Sequence, residues 1–230
     1  MPDRGQRTLA KYVTAGAPGG SCRIERSRLL QVTFEVDRDA ALALMPEDVT
    51  RPIPCYARLL VVEDLGHEGA GFAVLGLGGR FRMLPRNVFV VGVAAAPGSA
   101  ADGLPGPWLS GSAAIRRGEG EVTAEVEVEG RTVASVRLPA PFAIDPGMLR
   151  WDAWVVGVSD QRRPALAESP FEVRAEQTWL SRGFSVEAVQ GLDRASPFRR
   201  LRPLLPVSAC VVEGAVTFGP VAVPAPLAIG

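Results

Sequence analysis

The clearest pattern in the chain is a two-residue alternation between Glu121 and Leu138. Val122, Ala124, Val126 and Val128 alternate with Thr123, Glu125 and Glu127, and the returning stretch carries Ala134, Val136 and Leu138 on one face. Period-two alternation sends successive side chains to opposite sides of a strand, so this stretch predicts an antiparallel hairpin with one wet side. A three-residue turn at Glu129-Gly130-Arg131 sets Val126 against Ala134, Ala124 against Val136 and Val122 against Leu138. A two-residue turn would pair Glu125 with Ala134 and mix the faces, so the longer turn is expected.

Other strands follow from shorter runs. Arg28 to Val36 is rich in β-branched and large apolar residues and predicts the first strand. In DRDAALALMPED an Asp at 37 or 39 can cap a short helix over Ala40 to Met45, which Pro46 then ends. Cys55 to Glu63 predicts the next strand, closed by a polar loop that holds His67, the only histidine of the chain. Gly71 to Leu77 and Asn87 to Ala95 read as buried strands joined through GGRFRMLPR. There Arg80 and Arg82 share one face, either to grip a carboxylate or enolate through paired hydrogen bonds or simply to face solvent. A Gly/Pro loop from Pro97 to Pro107 precedes the hairpin.

Beyond the hairpin, LPAPFAIDPG has too many prolines for a central strand and reads as an ordered crossing loop. SDQRRPALAES predicts a turn or short helix, limited by Pro164. Phe171 to Leu180 alternates as a strand, with Glu172, Arg174 and Glu176 on one face and Val173, Ala175 and Gln177 on the other. Ser185 to Val189 and Val207 to Phe218 complete the set. No repeat and no domain linker interrupts them. Residues 1–22 read as a flexible arm and 23–230 as a single, mostly antiparallel β domain that curls on itself.

Composition narrows the classes. Lys and Arg number 25 and Asp and Glu number 25, so no net field recruits nucleic acid or a membrane surface. Apolar residues make up 47% of the 230 residues, enough for a sizeable core. Cys22, Cys55 and Cys210 are odd in number and widely spaced, which suggests neither a disulfide framework nor a zinc site and fits a reduced, cytoplasmic setting. One histidine excludes a His-pair metal site. No metal or other cofactor is expected. GLGGRF lacks the spacing and following helix of a nucleotide loop, and the Arg199, Arg200 and Arg202 cluster reads as surface or subunit contact.

Taken in order, the first strand and FEVDRDAALALMPED, the strand GFAVLGLGGRF, the Gly/Pro loop, the EVTAEVEVEG hairpin and SPFRRLRPLLPVSACVVEG resemble the acetoacetate decarboxylase family from near Arg26 to about Val223. Leu205-Pro206-Val207 carries the best single match, followed by Met45-Pro46-Glu47. The resemblance implies a mainly β fold, a double-sheet or closed β-barrel around an internal pocket with few short helices, assembled as a homo-oligomer.

The resemblance also marks departures. Decarboxylating members carry a lysine just after this loop, which forms a Schiff base with a keto acid. Here the run is Gly103-Leu104-Pro105-Gly106-Pro107-Trp108, and Trp108, give or take a residue, stands where the amine should be. Lys11, the only lysine, lies before the resemblance begins. The family's strand glutamate matches Val74, and a second acid falls near Arg58. A Schiff base needs a primary amine whose pKa burial can lower, so acetoacetate-type decarboxylation is not expected.

What remains is a more apolar pocket with an aromatic wall and an arginine, suited to a hydrophobic small molecule. Its expected lining is Arg58, Val74, Arg82, Trp108 and Glu176. Three readings stand. The first is an enzyme of bacterial specialised metabolism, a cyclase that folds a polyketide-like substrate by preorganisation, with an arginine polarising a carbonyl. The second is a non-catalytic small-molecule-binding protein. The third is a repurposed lyase or hydratase using Glu176 or Asp64 as base.

Overall fold

The computed structural model describes residues 21–45, 54–67, 71–79, 87–99, 101, 104, 108–149, 151, 153–160, 163–169, 171–188, 201 and 203–219. Thirteen strands are present: β1 (Cys22–Val36), β2 (Tyr56–Asp64), β3 (Phe72–Gly79), β4 (Asn87–Ala95), β5 (Trp108–Gly118), β6 (Glu121–Val128), β7 (Arg131–Pro139), β8 (Phe142–Ile144), β9 (Ala153–Asp160), β10 (Arg163–Ser169), β11 (Phe171–Leu180), β12 (Ser185–Ala188) and β13 (Pro203–Phe218). They form one sheet in the order β12-β7-β6-β5-β4-β3-β2-β1-β13-β11-β8, with β9 and β10 branching from β4. The expected double sheet or closed barrel is therefore an open sheet among the described residues. The mainly β, mostly antiparallel character is as expected.

The sheet is built around β1, which pairs along its length with both β13 and β2. Its alternation divides the interior. Leu30, Val32, Phe34 and Val36 join a larger core with Leu59 and Val61 of β2, Leu75 of β3, Ile115 of β5 and the inward row of the β6–β7 hairpin. Leu29 points the other way, into a second core with Leu60, Val74, Val93, Trp154 and Phe171. A sheet whose two faces each hold an apolar layer must curl or be covered, and here β5 to β7 fold over the first face. The larger core lies on the side of the sheet that this curl encloses.

Helix α1 (Arg38–Leu44) starts as the sequence predicts. Asp37 accepts the Ala40 N–H at 2.9 Å, satisfying a donor that the helix leaves open. Ala41 and Leu44 pack into the larger core.

The hairpin keeps the predicted register by a different route. Val122 pairs with Leu138, Ala124 with Val136 and Val126 with Ala134, yet Val128 pairs directly with Arg131. The turn has two residues, Glu129 and Gly130, both at positive φ (53° and 71°), the type I′ geometry that matches strand twist. Val133 is the bulged extra residue that restores the faces, and it is buried together with Ala134.

Three further expectations are corrected. In SDQRRPALAES, Ser159 and Asp160 end β9 and Arg163–Ser169 is β10, so most of the stretch is strand rather than short helix, the two residues between lying outside the described residues; among the described residues β10 pairs only with β9, and Pro164 is tolerated on this edge strand. LPAPFAIDPG is ordered but includes the three-residue β8 on the other edge and a 3-10 turn at Pro146–Met148, where Asp145 accepts the Gly147 N–H. In β11 the simple alternation breaks at Glu176, because Ala175 pairs with Gly214 and Gln177 with Glu213. Glu176 is thus a bulge, and Thr178 beyond it is buried.

β4 forks. Its first residues, Asn87 to Phe89, run parallel to β9, and its last, Val93 to Ala95, run parallel to the start of β5. A parallel neighbour cannot be reached by a tight turn, so the long connection from Ala96 to Pro107 is required by the topology.

Candidate functional site

Paired residues on adjacent strands project from the same side of a sheet. One such row crosses the molecule: Leu180 of β11, Cys210 of β13, Gln31 of β1, Leu60 of β2, Val74 of β3, Val93 of β4 and, by its backbone register, Trp108 of β5. The next row runs Ser208, Thr33, Arg58, Gly76 and Val90. Arg58, Val74 and Trp108, three of the five residues the sequence singled out, therefore occupy adjoining rows of one surface.

Leu60, Val74 and Val93 form an apolar floor, buried in the second core. Arg58 is half-buried two residues before Leu60. Its neighbour on β3 is Gly76, which adds no side chain beside the guanidinium. Thr33 and Cys210 are buried on the same face. Burial pushes the Cys210 thiol up to about 12, against the smaller opposing effects of a backbone hydrogen bond at Gln31 and the charge of Arg58. A thiol so raised is not a nucleophile at neutral pH. The arrangement sets the Arg58 guanidinium beside side chains that are packed into the second core.

Glu176 stands apart: it is exposed, at the β11 bulge. Asp64 ends β2 on the Arg58 face, four residues beyond Leu60, where it accepts the Gly66 N–H at 2.8 Å and meets His67 Nδ1 at 2.9 Å. His67 itself is exposed, as expected of a solvated loop residue. Arg80, Arg82 and Lys11 lie outside the described residues.

Sequence reasoning missed a second polar cluster, on the opposite face. Gln177, Glu213, Arg28 and Glu63 form one cross-strand row. Arg28 Nε donates to Glu213 at 2.9 Å and its Nη1 donates to Glu63 at 3.3 Å. Arg117 of β5 lies 3.8 Å from Glu213 and 4.3 Å over the Trp179 ring. Burial pushes the Glu63 carboxyl up, while Arg28 and a backbone hydrogen bond at Ile115 act in the opposite sense. The cluster ties β5 to β1, β2, β11 and β13. No local signal marks it, since Arg28 and Glu213 stand 185 residues apart.

A cleft of about 200 Å³ opens where β12 faces the start of β13, walled by Phe34, Phe184, Val186, Pro203, Leu204 and Pro206, with Ser185 as the polar side chain. A separate void of about 10 Å³ shares Phe34, Val186 and Pro203 with it and also touches Leu59 and Leu75. Among the described residues, no three His, Cys, Asp or Glu side chains converge as metal ligands.

With this geometry in hand, the comparisons define the class of fold. No protein-family model and no curated protein matches the sequence. Solved structures do. The enduracididine biosynthesis enzyme MppR, complexed with pyruvate, superposes at TM-score 0.67 with 17% identity over 91% of each chain. Acetoacetate decarboxylase from Legionella pneumophila gives 0.66 with 13% identity, over 90% of this chain and 88% of that one. An acetoacetate decarboxylase-like enzyme from Sphingomonas wittichii RW1 gives 0.63 with 14% identity, over 88% and 92%. The chain has the acetoacetate decarboxylase fold over nearly its whole length. No helix among the described residues is long and apolar enough to cross a membrane.

Proposed function

We propose that this protein is an acetoacetate decarboxylase-like enzyme that works without a Schiff base, a cyclase that holds a hydrophobic, polyketide-like substrate in a reactive conformation. The observation that carries the reading is the row Leu60–Val74–Val93–Trp108 beside Arg58. An apolar floor with one half-buried guanidinium supplies shape and a single oriented charge, which suffices where catalysis consists of restricting a flexible chain. Holding reacting atoms in a near-attack geometry can contribute roughly 7–11 kcal/mol to a barrier without any nucleophile or metal. Arg58 would polarise a carbonyl or stabilise an enolate oxygen through paired hydrogen bonds.

MppR offers support from chemistry on the same fold, having been solved with the condensation product of pyruvate and imidazole 4-carboxaldehyde. A cytoplasmic homo-oligomer using no cofactor completes the proposal. Lyase or hydratase chemistry draws no support from Glu176, which is exposed, or from Asp64, which is engaged with Gly66 and His67.

The test is turnover of linear poly-β-keto ester surrogates, followed by mass spectrometry for cyclised, dehydrated products, in the native protein and in Arg58→Ala. Cyclisation that falls at least tenfold in the variant supports the reading. Borohydride in the presence of acetoacetate or pyruvate should trap no adduct; an adduct at Lys11 would overturn it. Saturable binding without turnover would leave a non-catalytic binding protein.

A further inference from the structure

We propose that Trp179 and Glu213 form a second binding site, for an organic cation of the alkylguanidinium or alkylammonium class, and that Arg117 fills it from within as a removable plug. The proposal is independent of the cyclase reading. Trp179 packs against the larger core, on the side of the sheet opposite Arg58 and Val74.

The charges there call for a cation besides Arg28. Arg28 lies between two carboxylates: its Nε donates to Glu213 at 2.9 Å and its Nη1 to Glu63 at 3.3 Å. One guanidinium thus serves two glutamates, and when both are ionised a negative charge is left over beside an indole ring. A carboxylate and an aromatic face within reach of one guanidinium attract a cation together, the ring through its negative face and the carboxylate through its charge.

Arg117 meets that demand loosely. Its Cζ stands 4.3 Å over the Trp179 ring, but its Nη1 is 3.8 Å from Glu213, too far for a hydrogen bond. Arg28 holds Glu213 instead, with Nε and Nη2 each at 2.9 Å, so the carboxylate is oriented without Arg117. The Arg117 side chain is 44% exposed, and an exposed ion pair of this length is weak. A ligand can therefore approach the guanidinium from solvent, and the arm can swing out as it enters. Being free of the β5 backbone, a small alkylguanidinium can lie flat on the Trp179 ring and still donate paired hydrogen bonds to Glu213. Gln177, the exposed register partner of Glu213, adds an amide acceptor at the rim.

The experiment titrates butylguanidinium into the full-length native protein and into Arg117→Ala, by calorimetry and tryptophan fluorescence. With the plug removed at an exposed position, Arg117→Ala should bind about tenfold or more tighter than the native protein. Arg117→Lys, which keeps a cation on the arm, should fall between them. Butylurea, the neutral isostere, should bind neither. In the Arg117→Ala background, Trp179→Leu and Glu213→Gln should each abolish the gain, with circular dichroism checking that both variants fold. The proposal is overturned if Arg117→Ala binds no tighter than the native protein, if butylurea binds as well as butylguanidinium, or if the gain survives Trp179→Leu. A lower Tm for Arg117→Ala without any gain in binding would make Arg117 a structural tie between β5 and β13, which overturns it equally.

Discussion

Val74 and Trp108 stand in one cross-strand row, each the register partner of Val93. They lie 34 positions apart in sequence and two strands apart in space. The resemblance to acetoacetate decarboxylase places a glutamate at the first and the reactive lysine near the second, so both departures fall on one line of the sheet. A valine thus stands where the resemblance places an acid, and a tryptophan at or next to the position where it places an amine.

Trp108→Ala is expected to leave the fold intact and to weaken ligand binding or turnover tenfold or more. That loss corresponds to about 1.4 kcal/mol of contact on an aromatic face. Parallel circular dichroism and titration with the cyclisation surrogates check it. Normal binding and turnover in the variant would remove Trp108 from the site.

Glu63 gives a pH dependence with a definite sign. Its folded-state pKa is raised, chiefly by burial, above the value it has in the unfolded chain. The folded state therefore holds the proton more tightly, and stability declines as pH rises from the ordinary carboxylate range through the raised value. Glu63→Gln removes this titration while Arg28 keeps Glu213. The difference in Tm between variant and native protein should move in the variant's favour between pH 4 and pH 8. A difference that does not vary with pH would show that Arg28 fully compensates the burial.

The hairpin turn can be improved. Glu129 adopts a φ of 53°, a left-handed conformation that costs a side-chain-bearing residue roughly 1–2 kcal/mol. Asn followed by Gly is the preferred pair for this turn. Glu129→Asn should stabilise the protein by about 0.5–1 kcal/mol and raise Tm by about 1–4 °C, measured calorimetrically. An unchanged or lower Tm would mean that the Glu129 side chain makes a compensating contact.

Gly71 marks a place where two backbones meet. A Cβ there would overlap the Ala113 carbonyl, and the Ala113 N–H donates to Gly71 O at 3.3 Å. Neither partner is a flexible side-chain end. Gly71→Ala should cost about 1–3 kcal/mol, seen as a lower midpoint in urea with an unchanged slope. Gly98→Ala, where no atom would meet the new Cβ but φ is 77°, separates packing cost from backbone cost. Equal losses at the two positions would argue that backbone conformation alone decides both.

By itself, the sequence determined what depends on neighbours a few residues away. Alternation at Val122 to Val128 and Ala134 to Leu138 specified a hairpin and its register, because a one-residue slip would turn its apolar face to water. Asp37, the alanine run and the following proline specified a capped helix, because those groups act on the same turn of backbone. Tertiary structure decided the rest. The faces of the hairpin could be kept by a three-residue turn or by a two-residue turn with a bulge, and only packing of both Val133 and Ala134 selected the bulge. Pro164 entered a strand because β10 lies at an edge. A bulge at Glu176 turned Gln177 outward and Thr178 inward, which a period-two pattern cannot show. The Arg28–Glu63–Glu213–Arg117 cluster depends on how far the sheet curls. Curvature is set by bulges, twist and side-chain volume summed over many strands, and no short stretch of sequence carries that sum.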